Sequence, residues 1–292
     1  MNTHTSALTS SSARAALVNT KVLSLRKKGR HASSSSSSSG KQTKKQTMII
    51  KAVSNSVTPD NDWGESTQAV HNGERGGRPR ISDSLTTPIV CTSTYTFKDT
   101  KELIDYQEGN YGSFEYGRYG NPTTRAVEEK IRLLEGGDDC LLSASGMCTA
   151  VTMLLSLVPA GGHIVTTTDC YRRTRQFIQT FLPKMGITST VLDPSDYDGL
   201  QKALDEHDCS LYFSESPTNP YLRCVDIDRI SKMCKPKGCL VCIDGTFATP
   251  CNLKPLKFGA DLVIHSASKY MGGHNDVLAG VIVGQKEAVS KV

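Results

Sequence analysis

The sequence predicts an α/β fold: a mainly parallel, seven-stranded sheet with helices on both faces. Three observations carry this expectation. Seven short apolar runs recur between residues 140 and 283, capped segments of helical period lie between several of them, and polar, chemistry-bearing residues gather just after the runs. Alternating strand and helix signals of this kind build open α/β sheets. Ligands of such sheets bind beyond the carboxyl ends of the strands.

Residues 60 to about 115 carry scattered Gly, Pro and polar residues, and read as an extended arm with one helix around Thr100 to Gln107. Regular structure is expected to begin at Asn121-Pro122-Thr123, where Asn caps a helix and Pro suits its first position. Val127, Ile131 and Leu134 mark one face of that helix, and Gly136-Gly137 ends it. The expected strands are Cys140–Ser143, His163–Thr167, Ile187–Leu192, Leu211–Ser214, Leu240–Asp244, Leu262–His265 and Leu278–Val283. After the first, Met147, Val151, Leu154, Leu155 and Val158 trace a helical face that Pro159 ends. Phe177, Phe181 and Leu182 trace another before Gly186, and a third helix runs from a cap at Asp226 to Cys234.

The formal charge of +5 over 292 residues is unevenly placed. Residues 1–59 hold ten Lys/Arg and no Asp or Glu, which leaves 24 basic and 29 acidic side chains in residues 60–292. The expected folded part is therefore acidic, which argues against a nucleic-acid-binding surface. The leader is rich in Ser and Thr, with seven consecutive serines (Ser33 to Ser39), and lacks the apolar core of a secretory signal. Its composition is that of an organelle transit peptide, chloroplast rather than mitochondrion, with Ile50-Lys51-Ala52 as a processing neighbourhood. A disordered basic tail is the plain alternative. Ten cysteines without a secretory signal read as free thiols. Cys239 and Cys242 imitate a metal pair, but in a strand residues three apart point to opposite faces. No apolar stretch approaches the roughly 20 residues of a membrane span, and neither G-x-G-x-x-G nor a Walker A sequence occurs.

Five strand ends offer chemistry. Ser145-Gly146-Met147 opens a helix, where free N–H groups and the positive dipole end favour a phosphate; an ordinary serine cap is the bland alternative. Asp169-Cys170-Tyr171 supplies a ring suited to stacking or to proton handling. Glu215-Ser-Pro-Thr-Asn219 follows the fourth run, and Asp244 closes the fifth. Ser266 and Ser268, suited to further phosphate contacts or to plain turns, lead to Lys269 between two serines and Gly272-Gly273. A carboxylate able to keep a pyridine nitrogen protonated, and an amine able to form a Schiff base, on successive strand ends, suggest a pyridoxal phosphate (PLP) enzyme. His265 and His274 lack metal-ligand spacing and read as structural. Outside the sheet, Phe114-Glu-Tyr-Gly-Arg-Tyr-Gly-Asn-Pro122 presents Tyr116 and the charged fork of Arg118.

Taken together, Tyr116-Gly-Arg-Tyr-Gly-Asn-Pro-Thr, Ser145-Gly-Met, Thr168-Asp-Cys-Tyr171, Glu215-Ser-Pro-Thr-Asn-Pro220, Ile243-Asp-Gly-Thr-Phe-Ala-Thr-Pro250 and the lysine segment resemble the PLP-dependent enzymes of Cys/Met transsulfuration, from about residue 65 onward. The resemblance implies PLP fold type I, the aspartate aminotransferase-like large domain, over residues 116–292, with residues 60–115 as an arm reaching a neighbouring subunit. It implies Lys269 as the Schiff-base lysine, Asp244 as the pyridinium partner, and Tyr171 as stacking ring and acid–base group. The Ser145-Gly146-Met147 turn, Ser266 and Ser268 would hold the phosphate, and Asn219 the ring oxygen. Tyr116 and Arg118 would reach the phosphate of a neighbouring subunit, so a homodimer or homotetramer is implied. Ser268 stands where the family usually has Thr, which keeps the hydroxyl.

The implied reaction is γ-replacement: cysteine sulfur displaces the leaving group of an activated homoserine ester, O-phosphohomoserine in plants, giving cystathionine for methionine biosynthesis. Cystathionine or methionine γ-lyase and β-lyase share nearly all these residues, and a weakly active regulatory partner of longer subunits is a third reading. The transit-like leader implies the plastid stroma. The resemblance also implies a C-terminal domain carrying the arginine that grips the substrate carboxylate. No arginine follows Arg229, so the chain is expected to be a truncated product or a fragment.

Overall fold

From residue 122 onward helices and strands alternate in the computed structural model, which describes residues 64–71 and 85–292. The transit-peptide reading and its processing neighbourhood lie outside the described residues. Two helices precede the alternation, α1 (Glu65–His71) and α2 (Thr100–Glu108). α1 was not legible as an element; it is tied to the rest by Glu65, whose carboxylate accepts from Lys254 Nζ at 2.7 Å. α2 falls where expected, with the Asp99 side chain accepting from the Glu102 N–H at 2.9 Å.

α3 (Pro122–Glu135) begins as its sequence dictates. Asn121 Oδ1 accepts from the N–H groups of Thr123 and Thr124 at 2.8 and 3.3 Å, two of the four donors a helix start leaves open. There follow β1 (Asp139–Ser143), α4 (Gly146–Leu157), β2 (His163–Thr167), α5 (Arg172–Thr180), β3 (Thr188–Leu192) and α6 (Tyr197–Glu206). β4 (Cys209–Glu215), α7 (Ile227–Cys234), β5 (Leu240–Asp244), α8 (Thr249–Asn252), β6 (Leu262–His265), β7 (Gly280–Gly284) and α9 (Lys286–Val289) complete the chain.

The seven strands form one sheet in the order β1-β7-β6-β5-β4-β2-β3. All neighbours are parallel except β7, which runs antiparallel to both β1 and β6. Strand side chains alternate between the two faces of the sheet, where the buried residues form three clusters, the third joining Ile131 of α3 to Cys140, Val263, Val281 and Val283. Leu211, Phe213, Cys242 and Ile264 pack with α4 and α5 on one face, whereas Tyr212, Val241 and Ile243 pack with α6 and α7 on the other. Cys239 and Cys242 fall in different cores, as a strand period requires.

Several expectations are corrected. The last strand starts at Gly280, not Leu278; Leu278 is 81% exposed in the loop before it. A Cβ at position 280 would overlap Ser145 O and Thr149 Oγ1, so the strand begins where the missing side chain lets it pass under the start of α4. The buried face of α4 is Ala150, Met153 and Leu154, while Leu155 is exposed. That helix is apolar on nearly every side, so its period does not single out a face. α5 buries Ile178, and Leu182 beyond it; Phe181 stays half exposed, stacked on Phe177 at 4.8 Å between centroids. α6 was missed, although Asp196 caps it and Leu200, Ala203 and Leu204 are its buried stripe.

Candidate active site

The strand ends converge on one cavity of about 630 Å³. Its walls include Ser145, Gly146, Met147, Tyr171, Asn219, Asp244, Ser266, Ser268 and Lys269. These are all of the expected site residues except Tyr116 and Arg118. The cavity lies beyond the carboxyl ends of the parallel strands, where the fold leaves helix starts and unpaired backbone groups.

One end of the cavity is built by the start of α4. Ser145 Oγ accepts from the Cys148 N–H at 3.1 Å, and Ser145 O accepts from the Thr149 N–H at 3.0 Å. The N–H groups of Gly146 and Met147 therefore have no intrahelical acceptor, at the positive end of the helix dipole. A Cβ on Gly146 would sit 2.7 Å from Ser266 Cβ and 2.9 Å from Ser266 Cα. Glycine is what lets the helix start and the lysine turn share one wall. Thr174 of α5 donates to Met147 Sδ at 3.5 Å and steadies that side chain.

The lysine turn is tied down on both sides. The Lys269 N–H donates to Ser266 O at 3.0 Å, and the Gly273 N–H to Lys269 O at 2.7 Å. Ser268 Oγ donates to Ala279 O at 3.1 Å and accepts from the Ala279 N–H at 2.9 Å. In this state Ser268 fastens the lysine turn to the segment entering β7. Lys269 itself is exposed toward the cavity.

Asp244 is set deep at the end of β5. Thr246 binds its Oδ1 twice, through its hydroxyl at 2.5 Å and its N–H at 3.0 Å. The same Thr246 Oγ1 accepts from the Ser266 N–H at 2.8 Å, which joins the carboxylate to the lysine turn. Burial raises the Asp244 carboxyl above its ordinary range; the Thr246 contacts and nearby His265 pull it back. Beneath the turn, His265 Nε2 and Glu135 Oε1 lie 2.5 Å apart and both residues are almost wholly buried.

Tyr171, at the start of α5, is 45% exposed. Its turn is held by Arg223, whose guanidinium reaches Asp169 Oδ2 at 3.2 Å and Asp193 at 2.9 and 2.6 Å. That contact holds the Asp193 carboxyl well below its usual range. Tyr116 and Arg118 are not among the residues that line the cavity. Tyr116 forms an isolated antiparallel bridge with Thr94, and the Arg118 guanidinium stands 4.6 Å from the Tyr116 ring centroid.

Three participants escaped the sequence reading: Thr174, Thr246 and, as a named residue, Glu215. Thr246 was discoverable, since a hydroxyl two residues after an aspartate closes an Asx-type turn. Glu215 bears the same signal as Asp244, a carboxylate ending an apolar run. Thr174, mid-helix, had none. As a set, the residues suit PLP. A primary amine can bond an aldehyde, a deep carboxylate can face a ring nitrogen, and a glycine-lined helix start can receive a phosphate monoester.

Comparison with known proteins agrees. Residues 66–292 match the model of the Cys/Met metabolism PLP-dependent enzymes. Over 228 residues the chain is 62% identical to cystathionine gamma-synthase 1, chloroplastic, of Nicotiana tabacum, covering 78% of this chain and 42% of that protein. It is 38% identical to a cystathionine beta-lyase of Lactococcus lactis, covering 77% of this chain and 57% of that protein. The chain thus spans about two fifths of the plant relative's length. The crystal structure of metB from Corynebacterium glutamicum superposes with a TM-score of 0.70 at 32% identity, covering 79% of this chain and 57% of that one. A metY structure from Campylobacter jejuni, which carries N′-pyridoxyl-lysine-5′-monophosphate, gives 0.71 at 27% identity, covering 79% and 56%. The chain belongs to the Cys/Met metabolism PLP-dependent enzyme family.

Proposed function

We propose that this cavity holds PLP and serves γ-replacement, the joining of cysteine to O-phosphohomoserine to make cystathionine. The observation that carries the reading is Lys269 and Asp244 on one cavity with the glycine-lined start of α4. The 62% identity to a plant gamma-synthase, against 38% to a beta-lyase, supports the synthase over the lyases. The same relative's chloroplastic name and the basic Ser-rich leader support a plastid location and a transit peptide.

When bound, PLP supplies an electron sink that stabilises carbanions at substrate carbons. Lys269 Nζ would hold the cofactor and would move protons at the substrate carbons. Asp244, fixed by Thr246, would keep a ring nitrogen charged. Tyr171 would cover the ring and assist proton transfer, and Asn219 would help orient it. The N–H groups of Gly146 and Met147, with Ser145, Ser266 and Ser268, hold the phosphate. For Ser268 this requires its hydroxyl to turn from Ala279. Tyr116 and Arg118 serve a second copy of the chain. That neither lines its own cavity, and the exposed Tyr270 and Leu278 at its wall, support a dimer or a tetramer of dimers.

The full chain supplied with PLP, O-phosphohomoserine and cysteine is expected to release cystathionine, with none from Lys269→Ala. Pyruvate or 2-oxobutyrate released from cystathionine alone, without synthesis, would favour a lyase instead. Gly146→Ala places a methyl group against Ser266 and is expected to destabilise the fold by about 1–3 kcal/mol. It is also expected to weaken PLP binding roughly tenfold or more, since the helix start must retreat. Unchanged affinity by equilibrium titration would remove the phosphate from this end of the cavity.

A further inference from the structure

Glu215 is a wall of the cavity that the proposed chemistry leaves unused. It ends β4 in register with Asp244 of the neighbouring parallel strand, so the two carboxyl side chains point to the same side of the sheet. Both line the cavity. Glu215 is 3% exposed. The backbone N–H groups of Asn219 and Tyr171 lie near enough to its carboxyl to favour the charged form, and Oε2 has no hydrogen-bond partner.

We propose that Glu215 is a positioning residue that acts as a neutral carboxylic acid, tying the Tyr171 turn to the Asn219 turn across the cavity. Two carboxylates on adjacent strand ends in one buried pocket cannot both ionise cheaply. Asp244 has the Thr246 hydroxyl and N–H, with His265 behind it, to support a charge. Glu215 has only the nearby N–H groups of Asn219 and Tyr171 and no side-chain partner. The groups facing it are Asp244 from β5, Asp169, Cys170 and Tyr171 from the turn after β2, and Lys269 from the turn after β6. Burial, then the charge of Asp244, pushes the Glu215 carboxyl up to about 8. A neutral acid keeps a carbonyl oxygen for the two N–H groups, so the tie does not require the charge. The geometry stands without the cofactor; only the purpose of holding Tyr171 and Asn219 rests on the proposed function.

The test compares melting temperature against pH for the cofactor-free full chain and its Glu215→Gln and Glu215→Ala variants. In the unfolded chain Glu ionises near the ordinary value of about 4.3. A carboxyl raised in the folded state stabilises fully below that value, and the contribution is lost as pH climbs to the folded value. Glu215→Gln cannot ionise, so it should gain several degrees on the parent chain between about pH 5 and pH 8, then level off. A glutamine variant that stays below the parent by a constant margin at every pH overturns the proposal, because the site would then be using the charge. Hydrogen exchange at Tyr171 and Asn219 should be unchanged by Glu215→Gln and about tenfold faster in Glu215→Ala. Equal protection in the alanine variant also overturns the tie, and should that variant not fold, the glutamine curve decides. A parent chain that shows the pH-dependent gap yet takes up no PLP would sink the cofactor reading and leave this one standing.

Discussion

Replacing Glu135 with alanine is expected to cost about 3–5 kcal/mol of stability, the usual result of breaking a buried pair by removing one partner. Glu135 is the last residue of α3 and His265 the last of β6; they are 0% and 1% exposed, with their bonded atoms 2.5 Å apart. Each also carries a polar atom without a hydrogen-bond partner, Glu135 Oε2 and His265 Nδ1. Removing the carboxyl leaves an imidazole with no partner at either nitrogen, at the foot of the lysine turn. For a domain of this size the loss corresponds to roughly 6–20 °C in melting temperature. The double variant Glu135→Leu with His265→Phe, which removes both polar groups and roughly keeps the volume, should recover much of it. A single variant that melts within about 2 °C of the parent would show that the pair contributes little.

Asp244→Asn is the second large effect expected. Asparagine keeps the oxygen that accepts from Thr246, so the local shape should survive while the charge proposed to face a ring nitrogen is lost. Cystathionine formation should fall by about 10²–10³-fold, the scale of deleting one preorganised electrostatic contact. The melting temperature should hold or rise, because burial already disfavours this charge. Turnover within a few-fold of the parent would mean that the carboxylate is structural.

The strand ends were the most legible part of the chain. His163–Thr167, Leu240–Asp244 and Leu262–His265 match the observed strands residue for residue, because each is a run of apolar or β-branched side chains bounded by polar or turn-forming ones. Legible strand ends made Ser145, Tyr171, Asp244 and Lys269 legible too, since the fold brings such ends together. What escaped depends on neighbours distant in sequence. Leu278 reads as strand, yet the strand starts only at Gly280, where β7 passes beneath Ser145. The buried side of α4 is chosen by the sheet, since the helix itself offers apolar residues nearly all round. Ser268 carries the expected hydroxyl, but only the fold shows that Ala279 engages it. Glu215 looked like any carboxylate after an apolar run until its register with Asp244 put both on one wall.

The central claim is that Lys269 bonds PLP in the cavity formed by the strand ends. The most direct measurement is the visible absorbance spectrum of the purified full chain after incubation with PLP and removal of the excess, beside Lys269→Ala. A band from the bound cofactor in the parent chain, discharged by borohydride into a permanent lysine adduct and absent from the variant, is the predicted result. A folded parent chain without the band, or a variant that shows the same band, would contradict it.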